Sequence, residues 1–119
     1  MNIIKTSAPD LDKADLYGLT KSPAVMRMRD VKEGEEITVS AWAIYEEPDK
    51  KEPEKVNRIL SVLDSTTGCA YATNSPPFQR SFEDIVEIFG NNGFAIAVMH
   101  GTSNNGRNFI EAVFTREVE

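Results

Sequence analysis

The chain has 119 residues, 13 Lys and Arg against 19 Asp and Glu, a formal net charge of −6 and 40% hydrophobic residues. That length suits one core, and that apolar content excludes a wholly disordered chain. No apolar run approaches the ~18 residues of a membrane-spanning helix. The single cysteine, Cys69, and the single histidine, His100, exclude an internal disulfide framework and a multi-Cys or multi-His metal centre.

The opening Met1-Asn-Ile-Ile-Lys-Thr6 has no apolar core of a secretory signal, so a cytoplasmic protein with no membrane partner is expected. Net negative charge argues against nucleic acid, because sequence-independent affinity comes from Lys and Arg neutralising phosphates. The charge is uneven, however. Residues 1–34 hold six bases and five acids, residues 35–65 four bases and eight acids, and residues 66–119 three bases and six acids. The densest run, Glu46 to Lys55, contains two prolines, five acids and three bases, and reads as an exposed loop.

In chain order, residues 10–18 predict a short helix with Asp10 as N-cap and Gly18 as its stop. Ser22-Pro23 opens a second helical turn that ends near Asp30, since Ser at the cap and Pro at the first helical position are a favoured pair. Together these form an N-terminal extension, residues 1–34, expected to pack on a domain of residues 35–119. From Glu36 the period becomes two. Ile37, Val39, Ala41 and Ala43 alternate with Thr38, Ser40, Trp42 and Ile44, which predicts a long half-buried strand. Val56–Leu63 and Cys69–Thr73 predict the next two strands, joined by the turn Asp64-Ser-Thr-Thr-Gly68.

Asn74-Ser-Pro-Pro77 then breaks the sheet, and Ser81 caps the clearest helix. In it Phe82, Ile85, Val86 and Phe89 share one face, and Gly90 ends it. Phe94–His100 and Arg107–Thr115 predict two more strands around an Asn105-Gly106 hairpin turn. The expected fold class is therefore mainly β, in the order β-β-β-α-β-β. A five-stranded, OB-fold-like antiparallel barrel with its helix between the third and fourth strands fits best, with a short helical extension in front. An open antiparallel sheet with one helix, or another small barrel, is the alternative.

No catalytic signature is present. Gly101-Thr-Ser-Asn-Asn-Gly106-Arg107-Asn108 approaches a P-loop, but Arg replaces the Lys, Asn replaces the hydroxyl, and a strand follows where a helix N-terminus must face the phosphate. His100 has no visible nucleophile or carboxylate partner and reads as a strand-end residue. Hence no catalytic residue, metal or cofactor is expected, and the chain is not read as an enzyme.

Single strands are held by aromatic platforms for bases and by cations along the backbone. Trp42 shares its predicted side with Thr38 and Ser40, so it either stacks a base or covers one end of the barrel. Tyr71 shares a face with Thr73 and either stacks or packs half-exposed. Arg107 and Phe109 lie side by side after a loop of Asn, Ser and Thr, as a cation and a ring would on a grasped strand; the bland reading packs Phe109 on Val113. Phe78, beside Arg80, reads as an apolar plug. Arg58 on the second strand adds a cation, and Arg27, Arg29 and Lys32 form a basic rim diluted by Asp30 and Glu33.

The segments Ala70-Tyr-Ala-Thr-Asn-Ser-Pro-Pro-Phe78, Phe82-Glu-Asp-Ile-Val-Glu-Ile-Phe89 and Gly101-Thr-Ser-Asn-Asn-Gly-Arg-Asn-Phe109 resemble small single-stranded DNA-binding proteins. These belong to phages and mobile elements of Gram-positive bacteria. By order of elements the resemblance covers about residues 20–115. It implies an OB-fold-like protein that coats displaced single strands during phage or plasmid replication, without catalysis or cofactor and with little base preference. The acidic 46–55 loop departs from a loop that clamps DNA, which shifts the expected site to the sheet face and the 101–107 hairpin.

The expected nucleic-acid-binding residues are Trp42, Arg58, Tyr71, Arg80, Arg107 and Phe109. The expected partner is single-stranded DNA, with replication proteins and a second copy of the chain as further candidates. The rival reading is an acidic protein-interaction module, a phage-encoded inhibitor or assembly factor acting on a basic host DNA-binding protein, which the −6 charge suits.

Overall fold

A computed structural model describes residues 1–8 and 11–118; Asp10, the expected first cap, lies outside the described residues. In chain order the elements are β1 (Asn2–Thr6), α1 (Lys13–Thr20), β2 (Met26–Arg27), a 3-10 turn (Met28–Asp30), β3 (Glu36–Pro48), β4 (Val56–Asp64), β5 (Ala70–Thr73), α2 (Pro76–Phe89), β6 (Phe94–Thr102) and β7 (Asn108–Glu117). All seven strands join one sheet, ordered β2-β5-β4-β3-β6-β7 with β1 added to β3.

The 13-residue β3 is long enough to serve three neighbours. Residues 36–39 pair with β6 and residues 43–46 with β1, while β4 runs along residues 39–48. The pairing with β4 slips between Val39 and Ala41, a bulge that leaves Ser40 without a partner. Such an extra residue bends a strand and tightens its twist, and the sheet curls into a half-barrel.

The bulge also shifts the side-chain phase by one. Ile37 and Val39 face the main core; past Ser40, Trp42 and Ile44 face it, and Ala41, Ala43 and Tyr45 turn to the opposite side. The main core is closed by Phe78, Phe82, Ile85 and Val86 of α2. Leu19 of α1 covers the second, smaller cluster with Ala41, Ala43, Tyr45 and Ala70.

The mainly β expectation holds, but the sheet has seven strands in place of five. From residue 36 on, the elements run β-β-β-α-β-β; the differences lie before and at the helix. β1 is exposed over most of its length, so no apolar alternation marks it in the sequence. The helical turn expected at 22–30 is a two-residue strand followed by a 3-10 turn. Met28 and Val31 are both buried, and a spacing of three suits the tighter helix.

The cap of α1 is Asp12, whose Oδ1 accepts from Asp15 N at 2.7 Å, and Gly18 lies within the helix. α2 begins at Pro76, five residues before Ser81, with Ser75 as its cap, so Pro76 and Pro77 start the helix rather than block it. Ser81 instead ties α2 to β7, since its Oγ accepts from the Ala112 amide of that strand at 2.9 Å.

Candidate nucleic-acid interface

β5 and β7 stand near the two ends of the strand order and do not pair with each other. Along this side of the molecule run five shallow depressions of about 290 to 490 Å³ that share lining residues. The first lies between Arg58, Asn74, Arg80 and Glu83. Through Asn57 and Asn74 it continues into a second, lined by Arg27, Arg29 and Thr73. Arg29 and Asn74 lead on to a third, walled by Pro76, Pro77, Ser103, Arg107 and Phe109. A fourth holds Arg29, His100, Gly101 and Asn108. A side branch at Arg27 is lined by Met26, Val31, Tyr71, Asp30 and Glu35.

The electrostatics of this run differ from those of the whole chain. The second, third and fourth depressions are lined by Arg27, Arg29, Arg107 and His100 and by no carboxylate. The acids stand at the ends. Glu83 pairs with Arg58 at 2.7 Å, and Asp30 pairs with Arg27 at 3.2 Å. Arg29, Arg80 and Arg107 have no ion-pair partner among the described residues. A trough with free guanidiniums and amide side chains can neutralise a phosphodiester backbone in spite of the overall charge.

The hairpin that carries Arg107 is shaped by its turn. Gly106 adopts φ 76°, its amide donates to Ser103 O at 2.9 Å, and Ser103 N donates to Arg107 O at 2.8 Å. Phe109 faces Gly101 across the β6–β7 ladder. A Cβ at Gly101 would lie 2.5 Å from Phe109 Cζ, so the far end of the ring rests on the glycine backbone. Phe109 is half-buried and lines two depressions, which places an aromatic ring inside the trough. Tyr71 is also half-buried against the main core; burial above all pushes its phenol above the ordinary value, so it is a neutral ring with a hydroxyl.

Trp42 is elsewhere. It is 1% exposed, meets Phe82 edge-on at 5.7 Å and 83°, and its Nε1 donates to Asn91 O at 2.8 Å. Lys5 Nζ sits 5.8 Å from its ring centroid. The expected solvent-facing platform is therefore a core residue, because the Ser40 bulge reverses the phase on which that expectation rested.

Of the six expected contacts, the structure groups Arg58 with Arg80 in one depression and Arg107 with Phe109 in another, and sets Tyr71 on the branch. It adds Asn57, Asn74 and Asn108, whose isolated amides carry no sequence signal. It also moves Arg29 from the rim to the middle, lining three depressions. Arg27 and Arg29 flank Met28, and both are exposed while Met28 is buried.

The family model described as Phage Single-stranded DNA-binding protein matches residues 15–114. The chain belongs to this family. No curated protein and no solved structure matches the chain. Membership agrees with the resemblance carried by residues 70–78, 82–89 and 101–109, all inside the matched span. No described helix of this phage single-stranded DNA-binding family member is long and apolar enough to cross a membrane.

Proposed function

We propose that the chain coats single-stranded DNA during phage replication, without catalysis and with little base preference, along the trough between β5 and the β6–β7 hairpin. The observation that carries this reading is the carboxylate-free stretch lined by arginines, Asn74, Asn108 and the Phe109 ring. Such a surface offers charge to phosphates and a π-face to any base, with few groups arranged to select one base edge.

The five strands β3 to β7 follow the order expected of an OB-like barrel, with α2 between the third and fourth of them. Ligands of that fold lie on its second and third strands and on the loops joining strands one to two and four to five. The trough takes up part of that course: Ile59 and Asn57 of β4, Ala72 and Thr73 of β5, then Ser103 and Arg107 of the β6–β7 loop. The acidic 49–55 loop contributes none of the residues lining the described depressions. Stacking then falls to Tyr71 and Phe109, and phosphate contacts to Arg80 and Arg107, unpaired among the described residues, with Arg58 held by Glu83.

The test is fluorescence anisotropy of a labelled dT oligomer at low salt, with dA and dC oligomers for comparison. Saturable binding of all three within about tenfold is expected, and Tyr71→Ala and Phe109→Ala should each weaken it by about 1–3 kcal/mol, the range for one stacked base. An unchanged anisotropy at low salt overturns the reading.

A further inference from the structure

Residues 26–34 run from β5 to β6, two strands that share no ladder. On one side, Met26 and Arg27 pair in parallel with Tyr71 and Ala72 of β5. On the other, three bonds reach β6: His100 Nε2 donates to Val31 O at 2.8 Å, the His100 amide donates to Glu33 Oε1 at 3.2 Å, and the Gly34 amide donates to Val98 O at 3.4 Å. The span between them is pinned from below, because Met28 is 0% and Val31 7% exposed in the main core, and Val31 N closes the turn on Met28 O at 3.1 Å.

Arg29 stands on this span. It is exposed, has no ion-pair partner among the described residues, and lines the three carboxylate-free depressions, the one side chain of the trough to do so. Its neighbour Arg27 is held by Asp30. A guanidinium whose backbone is fixed and whose head has no competing carboxylate is available to a phosphate, and its planar fork suits the two free oxygens.

We propose that residues 26–34 act as a strap that ties β5 to β6 and holds Arg29 as the central phosphate clamp for a single strand lying in the trough. This rests on the function proposed above. It places the principal cation in the N-terminal extension, outside the five barrel strands.

Titration of a labelled dT oligomer into wild type, Arg29→Ala, Arg29→Lys and Lys50→Ala at several KCl concentrations tests it. Lys50 lies in the 49–55 loop, away from the trough residues, and its removal should change binding little. Arg29→Ala should lose about tenfold or more in affinity, as for a lost charge-assisted hydrogen bond, and its log K against log salt slope should shrink by about 0.7, the share of one phosphate on a single strand. Arg29→Lys should keep the slope and recover part of the affinity. If wild type binds and Arg29→Ala matches it in affinity and slope, the clamp is wrong and the binding function stands. If wild type and Lys50→Ala both fail to bind, the binding function falls and the clamp with it.

Discussion

Phe109 holds its place because the residue opposite has no side chain. Its ring end lies where a Gly101 Cβ would be, at 2.5 Å, and Gly101 itself keeps an ordinary strand conformation that alanine can adopt. Gly101→Ala should therefore fold and push the ring off its seat, since the tip of a half-buried side chain yields more readily than a ladder. The expected outcome is a loss of dT-oligomer affinity close to that of Phe109→Ala, with the thermal midpoint changed far less; affinity equal to wild type would show that the ring's seat is irrelevant to binding. The Arg107–Phe109 pair is legible in the sequence because an Asn-Gly turn fixes the start of the strand after it. Trp42 is not. Its orientation depends on one unpaired residue, Ser40, and an alternation of apolar and polar letters is the same with or without a bulge beneath it.

At the scale of elements, the strands from residue 36 onward can be read because each is a run of β-branched and aromatic residues bounded by Gly, Asn or Pro. β1, β2 and the 3-10 turn cannot, because their neighbours and not their own propensities hold them: β1 by the outer part of β3, β2 by β5. One junction between elements titrates. Glu36, at the start of β3, accepts from Arg116 Nε at 3.2 Å and from the Thr115 hydroxyl at 2.8 Å, joining β3 to the end of β7. The Arg116 hydrogen bond, then that of Thr115, holds its carboxyl below the ordinary value of 4.5. A group whose folded value is depressed adds stability that is present above about 4.5 and is lost as pH falls through the folded value. Urea midpoints followed from pH 7 down to pH 2.5 should thus fall less steeply below about pH 4.5 in Glu36→Gln than in wild type. The contribution is small because the pair is solvent-exposed and screened, and parallel acid limbs in the two proteins would show that this junction does not couple to folding.

For the whole molecule, net charge and binding charge separate. The chain carries −6, yet of the acids near the trough Asp30 is tied to Arg27 and Glu83 to Arg58, Glu35 lies on the Tyr71 branch, and Glu33 accepts from the His100 amide. On the proposed binding mode, the two paired carboxylates compete with phosphates for Arg27 and Arg58. With Arg29, Arg80 and Arg107 free, about three phosphates are neutralised, and log K should fall with log salt at a slope of about −2, from about 0.7 per phosphate on a single strand. Removing both competitors in Asp30→Asn with Glu83→Gln should release Arg27 and Arg58, steepen the slope to about −3.5 and raise affinity most at low salt. Because Trp42 is buried away from the trough, its native emission should stay constant in these titrations and verify that each variant is folded. A wild-type slope already near −3.5, unchanged in the double variant, would mean that phosphate displaces the carboxylates freely; the acids would then set no limit on how tightly the protein holds its strand.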